Sequence, residues 1–230
     1  MGAVVEYAPL LLRGLGITLL VTVLSSILVV VVAFVTGLAR LSRHWFVHWP
    51  ATVIVEIFRG TSLVIQIFWF FYALPLFGIN LVPLAAAVLT LGLNGGCYAG
   101  EIVRGVIKSR PKGQTEVAIA LGMGPWLRMR RVLIPQSIPA MLPPFGNVMI
   151  DLLKNTSLLS LVTIADLTFR AQWARSKTGE TVAIFLTLLV IYFALSWLLG
   201  LFTKWLERRF SLSRRSVARP RRLQPVMGGE

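Results

Sequence analysis

Acidic residues are scarce in this chain, and charged residues of either sign are few. Only 9 of its 230 residues are Asp or Glu, and all charged residues together make up 14% of the sequence, against about 25% in an ordinary soluble domain. Hydrophobic residues make up 56%, and the mean hydropathy is +0.77. These proportions exclude an ordinary water-soluble domain and are typical of a bundle of membrane helices.

Cysteine, metal ligands and nucleotide-binding loops are also lacking. The single cysteine, Cys97, excludes an intrachain disulfide and a cysteine metal cluster. His44 and His48 have the spacing of two helical zinc ligands, but no acidic third ligand lies nearby, and Trp45 and Trp49 favour a membrane-interface segment. There is no Gly-rich Lys-Ser/Thr loop and no nucleophile–base pair. We therefore expect no metal site, no cofactor bound by this chain and no enzymatic activity.

Basic residues are plentiful, with 23 Lys and Arg and a net charge of +14. Such a balance is found in nucleic-acid-binding proteins and in the cytoplasmic loops of membrane proteins. Here the basic residues lie between the hydrophobic stretches, which favours loops. We therefore expect contact with membrane lipid and no nucleic-acid partner.

Long stretches without charge predict an all-α membrane protein with five transmembrane helices. The stretch 60–100 is too long for one span, and Pro75, Gly78 and Pro83 predict a turn that divides it. The fourth stretch has four prolines between residues 132 and 150, so we expect a broken helix, with the break near 154–157 facing protein or a water-filled cavity. The predicted spans are about 14–38, 53–77, 81–103, 137–168 (broken) and 181–203.

The distribution of Lys and Arg predicts the orientation of these spans. Most basic residues lie in the loop after the third span and in the tail, and basic loops stay in the cytoplasm. We therefore expect an inner-membrane protein whose N-terminus, residues 1–13, is outside. The loop 104–135 and the basic tail 209–230, which we expect to lie on anionic headgroups, are then cytoplasmic.

The loop 104–135 contains a short apolar segment between Gly113 and Gly124. Gln114 or Thr115 is predicted to cap a short helix there, and Gly122 or Gly124 is predicted to end it. A short apolar helix on the cytoplasmic side either occupies the groove of a partner or folds back on its own bundle. The pattern alone leaves both interpretations open.

This loop resembles the "EAA" loop of ABC importer permeases. Glu116-Val117-Ala118, then Gly122, then Val132-Leu133-Ile134-Pro135 have the family's spacing, with departures at Val117, Val132 and Ile134. In that family the short helix docks into the ATPase subunit and transmits its motion. The resemblance implies that the residues coupled to the ATPase are Glu116, Val117, Ala118, Gly122 and Pro135.

Three further stretches resemble the polar amino acid subfamily, whose substrates are histidine-, glutamine-, arginine-, opine- and ectoine-like. They are 58–63, in which Ser62 replaces the usual proline, 97–105 and 154–158. Together the matches cover about residues 12–208. The resemblance implies a type I ABC importer transmembrane domain over 14–208, which works by alternating access. The partners that it implies are a second permease subunit, an ATPase dimer that binds ATP and Mg, and a solute-binding protein.

Two other classes of protein remain as competitors. A secondary transporter or channel would carry internal repeats within one chain, and we find none. A membrane-embedded enzyme would need a catalytic constellation that the sequence lacks.

Ionisable residues in or beside the spans are the candidates for a solute path, because such residues are costly in lipid. Alternatively they pair with one another, for instance Glu101 with Arg59, and lock the helices together. The polar residues of the predicted break join them as candidates. The predicted path residues are Arg59, Glu101, Asp151, Lys154, Asn155, Thr156 and Ser157.

Gly92, Gly96 and Gly100 recur every four residues on one face of the third span. Small residues at this spacing let two helix backbones approach closely. The sequence predicts a packing seam here, either within the chain or across a dimer.

Overall fold

The computed structural model describes residues 6–211 of the chain. All regular structure within that range is helical. Most of the predicted tail 209–230 and the first five residues lie outside it.

The helices follow one another with short connections. The first half comprises α1 (Ala8–Ala39), α2 (Trp45–Gly60), α3 (Leu63–Phe68, continued by a π turn Trp69–Ala73 and a 3-10 turn Leu74–Phe77) and α4 (Pro83–Lys108). The second half comprises α5 (Lys112–Ala120), α6 (Pro125–Arg128, continued by a π turn Met129–Leu133), α7 (Ile134–Asn155, continued by a 3-10 turn Thr156–Val162), α8 (Leu167–Thr178) and α9 (Thr181–Ser211).

Three helices, α1, α4 and α9, are each long and apolar enough to cross a membrane. Two bent pairs pass the same criteria together: α2 with α3 and its continuation, bent by 106°, and the 125–162 segment with α8, bent by 51°. If each bent pair is one crossing, the described residues contain five spans. The predicted class, an all-α membrane protein, is confirmed.

The directions of neighbouring helices agree with five crossings. Along α4, Gly92 faces Leu28 of α1 and Gly100 faces Thr36, so the two helices run parallel. Parallel neighbours require the chain to cross back between them, and only α2 and α3 lie in that interval. By contrast, α7 and α9 run antiparallel, since Gly146 of α7 faces Thr203 and Ile150 faces Gly200.

The glycine seam packs within the chain. A Cβ on Gly92 or on Gly96 would lie 2.5 Å from side-chain atoms of Leu28 or Val32 on α1, far inside normal contact distance. The seam therefore brings α1 and α4 together at backbone distance. Of the two alternatives that the sequence left open, an intrachain contact and a dimer contact, this close approach is the intrachain one.

The second predicted span, 53–77, is not one straight helix. Helix α2 ends at Gly60, and Thr61 and Ser62 are extended, with ψ values of 153° and 135°. The sequence interpretation missed this break because Gly60 is the one helix-breaking residue beside it and no proline stands next to it. The helix instead ends at two consecutive hydroxyl residues, both of which have extended backbone torsions.

The proline-rich fourth span is more continuous than the sequence predicts, whereas the second span is less so. Pro139, Pro143 and Pro144 lie inside one continuous helix, α7, which ends at Asn155. A proline removes one hydrogen bond of the helix, but a membrane helix tolerates this loss where neighbouring helices cover the freed backbone. The break predicted near 154–157 is only a change from α-helix to 3-10 turn after Asn155, and the 51° bend lies later, between Val162 and Leu167.

The short cytoplasmic helix, α5, forms where the sequence predicts it, with a different cap. Pro111 occupies the N-cap position, and the predicted caps Gln114 and Thr115 lie inside the helix, where neither makes a side-chain cap hydrogen bond. The predicted end is confirmed at Gly122, whose φ is +72°. The Met123 amide donates to the Ala118 carbonyl across 3.0 Å, the closing bond of a glycine-terminated helix.

Candidate functional site

A cavity of about 430 Å³ lies where the two bent pairs meet α4. Its volume falls within the ~300–1,000 Å³ range of small-molecule sites. The walls come from the α2–α3 junction, the middle of α4 and the end of α7. The polar lining residues are Thr61, Ser62, Asn94, Tyr98, Asp151, Lys154 and Asn155.

Three of the predicted path residues, Asp151, Lys154 and Asn155, line this cavity. Two others from the same break do not. Thr156 is fully buried, and its hydroxyl donates to the Leu153 carbonyl across 2.7 Å. Ser157 is absent from the lining as well. The α7 side of the cavity is therefore formed by the last turns of the helix, before the 3-10 turn begins.

Four polar lining residues were not predicted: Thr61, Ser62, Asn94 and Tyr98. Asn94 and Tyr98 are four residues apart on α4 and so share one helical face. A lone amide in an otherwise apolar span was the available signal for Asn94. Thr61 and Ser62 lie in a stretch that the sequence analysis quoted only for its resemblance, because the break of α2 is not visible in the hydropathy.

The broken end of α2 leaves backbone carbonyl groups without helical partners. Side chains replace those partners. The Thr61 hydroxyl donates to the Ile57 carbonyl across 2.7 Å, and the Tyr98 hydroxyl donates to the Arg59 carbonyl across 3.3 Å. The end of α2 is thereby tied to α4.

The Phe58 carbonyl receives two donors. Gln66 Nε2 donates to it across 2.8 Å and Asn94 Nδ2 across 3.2 Å, while Asn94 Nδ2 also donates to Gln66 Oε1 across 3.0 Å. Both amide side chains are buried. This amide pair therefore closes the gap between α2, α3 and α4 directly behind the cavity wall.

The predicted path residues Arg59 and Glu101 lie outside the cavity lining, in a cluster of charges that joins α1, α2 and α4. Arg40 is its centre, with Nη1 2.7 Å from Glu101 Oε2 and Nη2 3.3 Å from Glu56 Oε1. Arg104 also pairs with Glu101, and Arg59 lies 4.0 Å from Glu56. The predicted pair between Glu101 and Arg59 is not formed. Glu101 pairs with Arg40 and Arg104 instead.

Arg59 connects this cluster to the cavity through an aromatic ring. Its guanidinium carbon lies 5.5 Å from the centre of the Tyr98 ring, within cation–π distance. Tyr98 also lines the cavity. Tyr98 therefore connects the charge cluster to the cavity.

One of the two histidines, His48, forms a contact between two helices. Nδ1 of His48 lies 2.9 Å from the Arg40 carbonyl oxygen, so the ring ties α2 to the end of α1. In the part of the chain from 6 to 211, no group of three His, Cys, Asp or Glu side chains is placed to hold a metal ion.

The residues assigned to ATPase coupling lie on and after α5. Glu116 and Val117 are exposed, and so is the apolar Ile119, whereas Ala118 is buried. Pro135 lies in the first turn of α7. Helix α5 thus presents large apolar side chains outward instead of burying them in the bundle.

Comparisons with known proteins agree with this architecture. Residues 29–212 match the family described as binding-protein-dependent transport system inner membrane component. The L-cystine transport system permease of Bacillus subtilis is 37% identical over 89% of this chain and 88% of its own length. The glutamine transport system permease of Escherichia coli is 34% identical over 89% of this chain and 94% of its own length.

A solved structure agrees with these sequence matches. A crystal structure of an amino acid ABC transporter with histidines superposes with a TM-score of 0.82 at 33% identity, covering 89% of this chain and 96% of that one. The predicted type I ABC importer architecture is thereby confirmed, and the secondary-transporter interpretation is set aside. The chain belongs to the family of binding-protein-dependent transport system inner membrane components, and it is a transport subunit, not an enzyme.

Proposed function

We propose that this chain forms, with a second permease subunit, the path of an ATP-driven importer for a polar amino acid or a similar solute. The observation that carries the proposal is the cavity at the broken helices, which combines Asp151 and Lys154 with neutral polar groups. An amino acid carries an ammonium and a carboxylate, which groups of these two charges attract. The substrates named for the relatives, L-cystine and glutamine, have the same two groups.

The broken helices give the cavity its function in this proposal. Breaks at membrane depth expose polar backbone and side chains to a solute without exposing them to lipid. Alternating access requires that the cavity open first to the outside and then to the cytoplasm. The walls of the cavity can turn at two places in this proposal. One is the break at Thr61–Ser62, and the other is the change from α-helix to 3-10 turn after Asn155.

Helix α5 is proposed as the contact with the ATPase dimer. Val117, Ile119 and Leu121 are all more than half exposed, and an apolar exposed face of this size needs a covering partner. ATP and Mg are then bound by the ATPase subunits, and a solute-binding protein delivers the solute from outside.

The orientation is proposed from the distribution of Lys and Arg. The N-terminus lies outside, and the loop with α5 and the C-terminal tail lie in the cytoplasm. A reporter fused after Thr203 is expected to be cytoplasmic. An external location of that reporter would reverse the proposed orientation.

The test of the solute path compares two neighbouring substitutions. Asn155→Leu removes a polar group from the cavity wall, and Ser157→Leu makes a similar change outside the lining. We expect Asn155→Leu to lower uptake about 10-fold or more, since a polar solute loses a partner in a desolvated site, while Ser157→Leu has a smaller effect. The measurement is uptake of labelled L-glutamine, L-glutamate, L-arginine and L-cystine by cells with the complete transporter.

Assembly with the ATPase is measured for each variant, so that a folding defect is recognised. If Asn155→Leu assembles and transports all four amino acids at the wild-type rate, the cavity is not the path. If uptake persists without the ATPase subunits, the proposed energy source is wrong.

A further inference from the structure

Helix α2 is held against the rest of the bundle by few apolar contacts. Only two of its 16 residues, Ala51 and Val55, are buried, whereas twelve of the 26 residues of α4 are buried. Elements that bury little apolar surface separate from a fold at low cost. The position of α2 beside α1 and α4 therefore depends largely on polar and charged contacts.

The charge cluster contains two ion pairs that each lie within one helix. In α2, Glu56 and Arg59 are three residues apart, and Arg59 Nη1 lies 4.0 Å from Glu56 Oε1. In α4, Glu101 and Arg104 are also three residues apart and pair with each other. Each carboxylate thus has a basic partner that moves with its own helix.

Arg40, at the end of α1, connects these two pairs. Its Nη1 lies 2.7 Å from Glu101 Oε2, and its Nη2 lies 3.3 Å from Glu56 Oε1, the same oxygen that lies near Arg59. The Glu56 side chain is 59% exposed, and the Glu101 side chain is 27% exposed. An exposed ion pair contributes little to stability, so the contact of Arg40 with Glu56 is the weaker of the two.

Charges in or beside a span restrict how helices can separate, because an ionised group without a partner is costly there. If α2 moved away from α1 and α4, Arg40 would keep Glu101, and Glu56 would keep Arg59. No carboxylate would then lose every partner. The arrangement of the charges is therefore compatible with the release of α2, whereas an isolated pair between α1 and α2 would oppose it.

We propose that Glu56 is a positioning residue for transport, which holds α2 against α1 and α4 through Arg40 and exchanges Arg40 for Arg59 when α2 tilts during the transport cycle. This inference rests on the proposed function, since it assigns one motion to the ATP-driven cycle. It concerns the cytoplasmic half of the bundle and requires no contact between Glu56 and the solute.

The α2–α3 junction supplies the pivot for this tilt. Hydrogen bonds from α3 and α4 hold the Phe58 carbonyl in place, and the backbone that follows α2 is extended. Ala51 lies ten residues before Thr61, about 15 Å along the helix, and Glu56 lies about half as far away. A tilt about the junction therefore moves Ala51 about twice as far as Glu56, and the burial of Ala51 reports it.

The experiment measures how fast a cysteine on α2 reacts in the purified permease–ATPase complex in lipid nanodiscs. Cys97→Ala removes the single native cysteine, and Ala51→Cys is then labelled with a small water-soluble methanethiosulfonate. Labelling is compared in the nucleotide-free complex and in the complex trapped with ATP and vanadate. We expect the two rates to differ by about fivefold or more, because a buried thiol reacts only when its helix opens.

Val29→Cys in the same background is the matched control. Val29 of α1 is fully buried and lies against Gly95 and Gly96 of α4. Since α1 and α4 stay together in this proposal, its labelling rate should be equal in the two states. If Ala51→Cys does not assemble, Val55→Cys, which is closer to the pivot, reports the same motion with a smaller change.

Two substitutions test the exchange of partners. Arg40→Gln weakens the hold on α2 but leaves Glu101 paired with Arg104, so the slower labelling rate should rise about two- to fivefold, the effect of one partly exposed ion pair. Arg59→Gln removes the partner that Glu56 has after release, so the faster rate should fall by a similar factor. A purely structural role of the cluster predicts faster labelling in both variants.

Each outcome has a distinct meaning. Equal labelling of the α2 cysteine in the two states, in a complex that transports solute, overturns this inference alone. Arg40→Gln and Arg59→Gln variants that change labelling in the same direction also overturn it. If neither variant assembles, the comparison of the two nucleotide states still confirms or overturns the tilt. A wild-type complex that transports none of the four amino acids overturns the proposed function and this inference with it.

Discussion

The α1–α4 interface and the α2–α3 junction are stabilised in different ways. Along α1 and α4 each backbone bonds within its own helix, and Gly96 and Gly100 allow close approach. The Thr36 hydroxyl, which faces Gly100, donates to the Val32 carbonyl of its own helix. At the junction the backbone leaves the helix, and the freed carbonyls at 57–59 bond to side chains from α2–α3 and α4. Close packing holds the first region together, and hydrogen bonds hold the second.

The comparison supports the proposed position of the solute. Lipid offers no partners to a free backbone group, so a break must be enclosed by polar side chains. Those same side chains, Asn94 and Tyr98, form part of the cavity wall. The polar groups needed to stabilise the break are therefore also exposed to the cavity, whereas the Thr36 hydroxyl at the glycine seam is bonded within α1.

The largest expected effect breaks the seam. In Gly96→Leu the new Cβ would lie 2.5 Å from Val32 Cβ, so α1 must move away from α4. Overpacking of this kind destabilises by about 2–3 kcal/mol. We expect a lower yield of folded complex and a lower Tm in detergent.

Gly105→Leu is the control for this variant, because a side chain at Gly105, on the same helix, meets nothing within 4 Å. Equal melting temperatures for the two variants would show that the seam does not depend on small residues.

A smaller effect is expected at the junction. Thr61→Val removes the hydroxyl that donates to the Ile57 carbonyl and accepts from Gln66. Leaving these groups unpaired destabilises by about 1–2 kcal/mol. We expect a lower Tm and reduced uptake.

Thr52→Val removes a similar bond, from Thr52 Oγ1 to the His48 carbonyl, inside the continuous part of α2. There the helix already satisfies the carbonyl, so we expect little change. A loss in Thr52→Val as large as in Thr61→Val would contradict the special role of hydroxyl capping at the break.

The smallest expected effect separates two uses of glycine. Gly122 and Gly124 both have open space around them, but only Gly122 has a positive φ, +72°. Gly122→Ala should therefore strain the end of α5 by about 1 kcal/mol, and Gly124→Ala should not.

The measurement is retention of the ATPase subunit on the purified permease. About fivefold weaker association is expected for Gly122→Ala, the equivalent of about 1 kcal/mol. Identical association of the two variants would mean that the end of α5 does not contribute to docking.

Much of the candidate site could be predicted from particular residues. Asp151, Lys154 and Asn155 stand out because charged and amide groups are rare within a span, and all three line the cavity. Thr156 and Ser157 share the same motif but lie outside the lining, since the chain changes from α-helix to 3-10 turn after Asn155. Sequence proximity could not distinguish them, because that change of helix type alters the direction of each side chain.

The charge cluster was harder to predict. Arg40 lies just beyond the predicted first span, 14–38, yet it forms the central pairs with Glu56 and Glu101. Glu101 is 61 residues away along the chain. Which of several arginines reaches Glu101 depends on how α1, α2 and α4 end together, and no local pattern encodes that.

The sequence by itself determined the membrane class, the positions of the long spans and the glycine face, because hydropathy and helical period are local properties. It also limited the end of α5 to Gly122 or Gly124, because a glycine after an apolar turn favours a positive φ. Only the tertiary structure decided that the seam closes on α1, that α2 breaks at Thr61, and that Gln66 and Asn94 meet at the Phe58 carbonyl. These depend on contacts between distant segments, in which the partner of each polar group is chosen by the packing of whole helices.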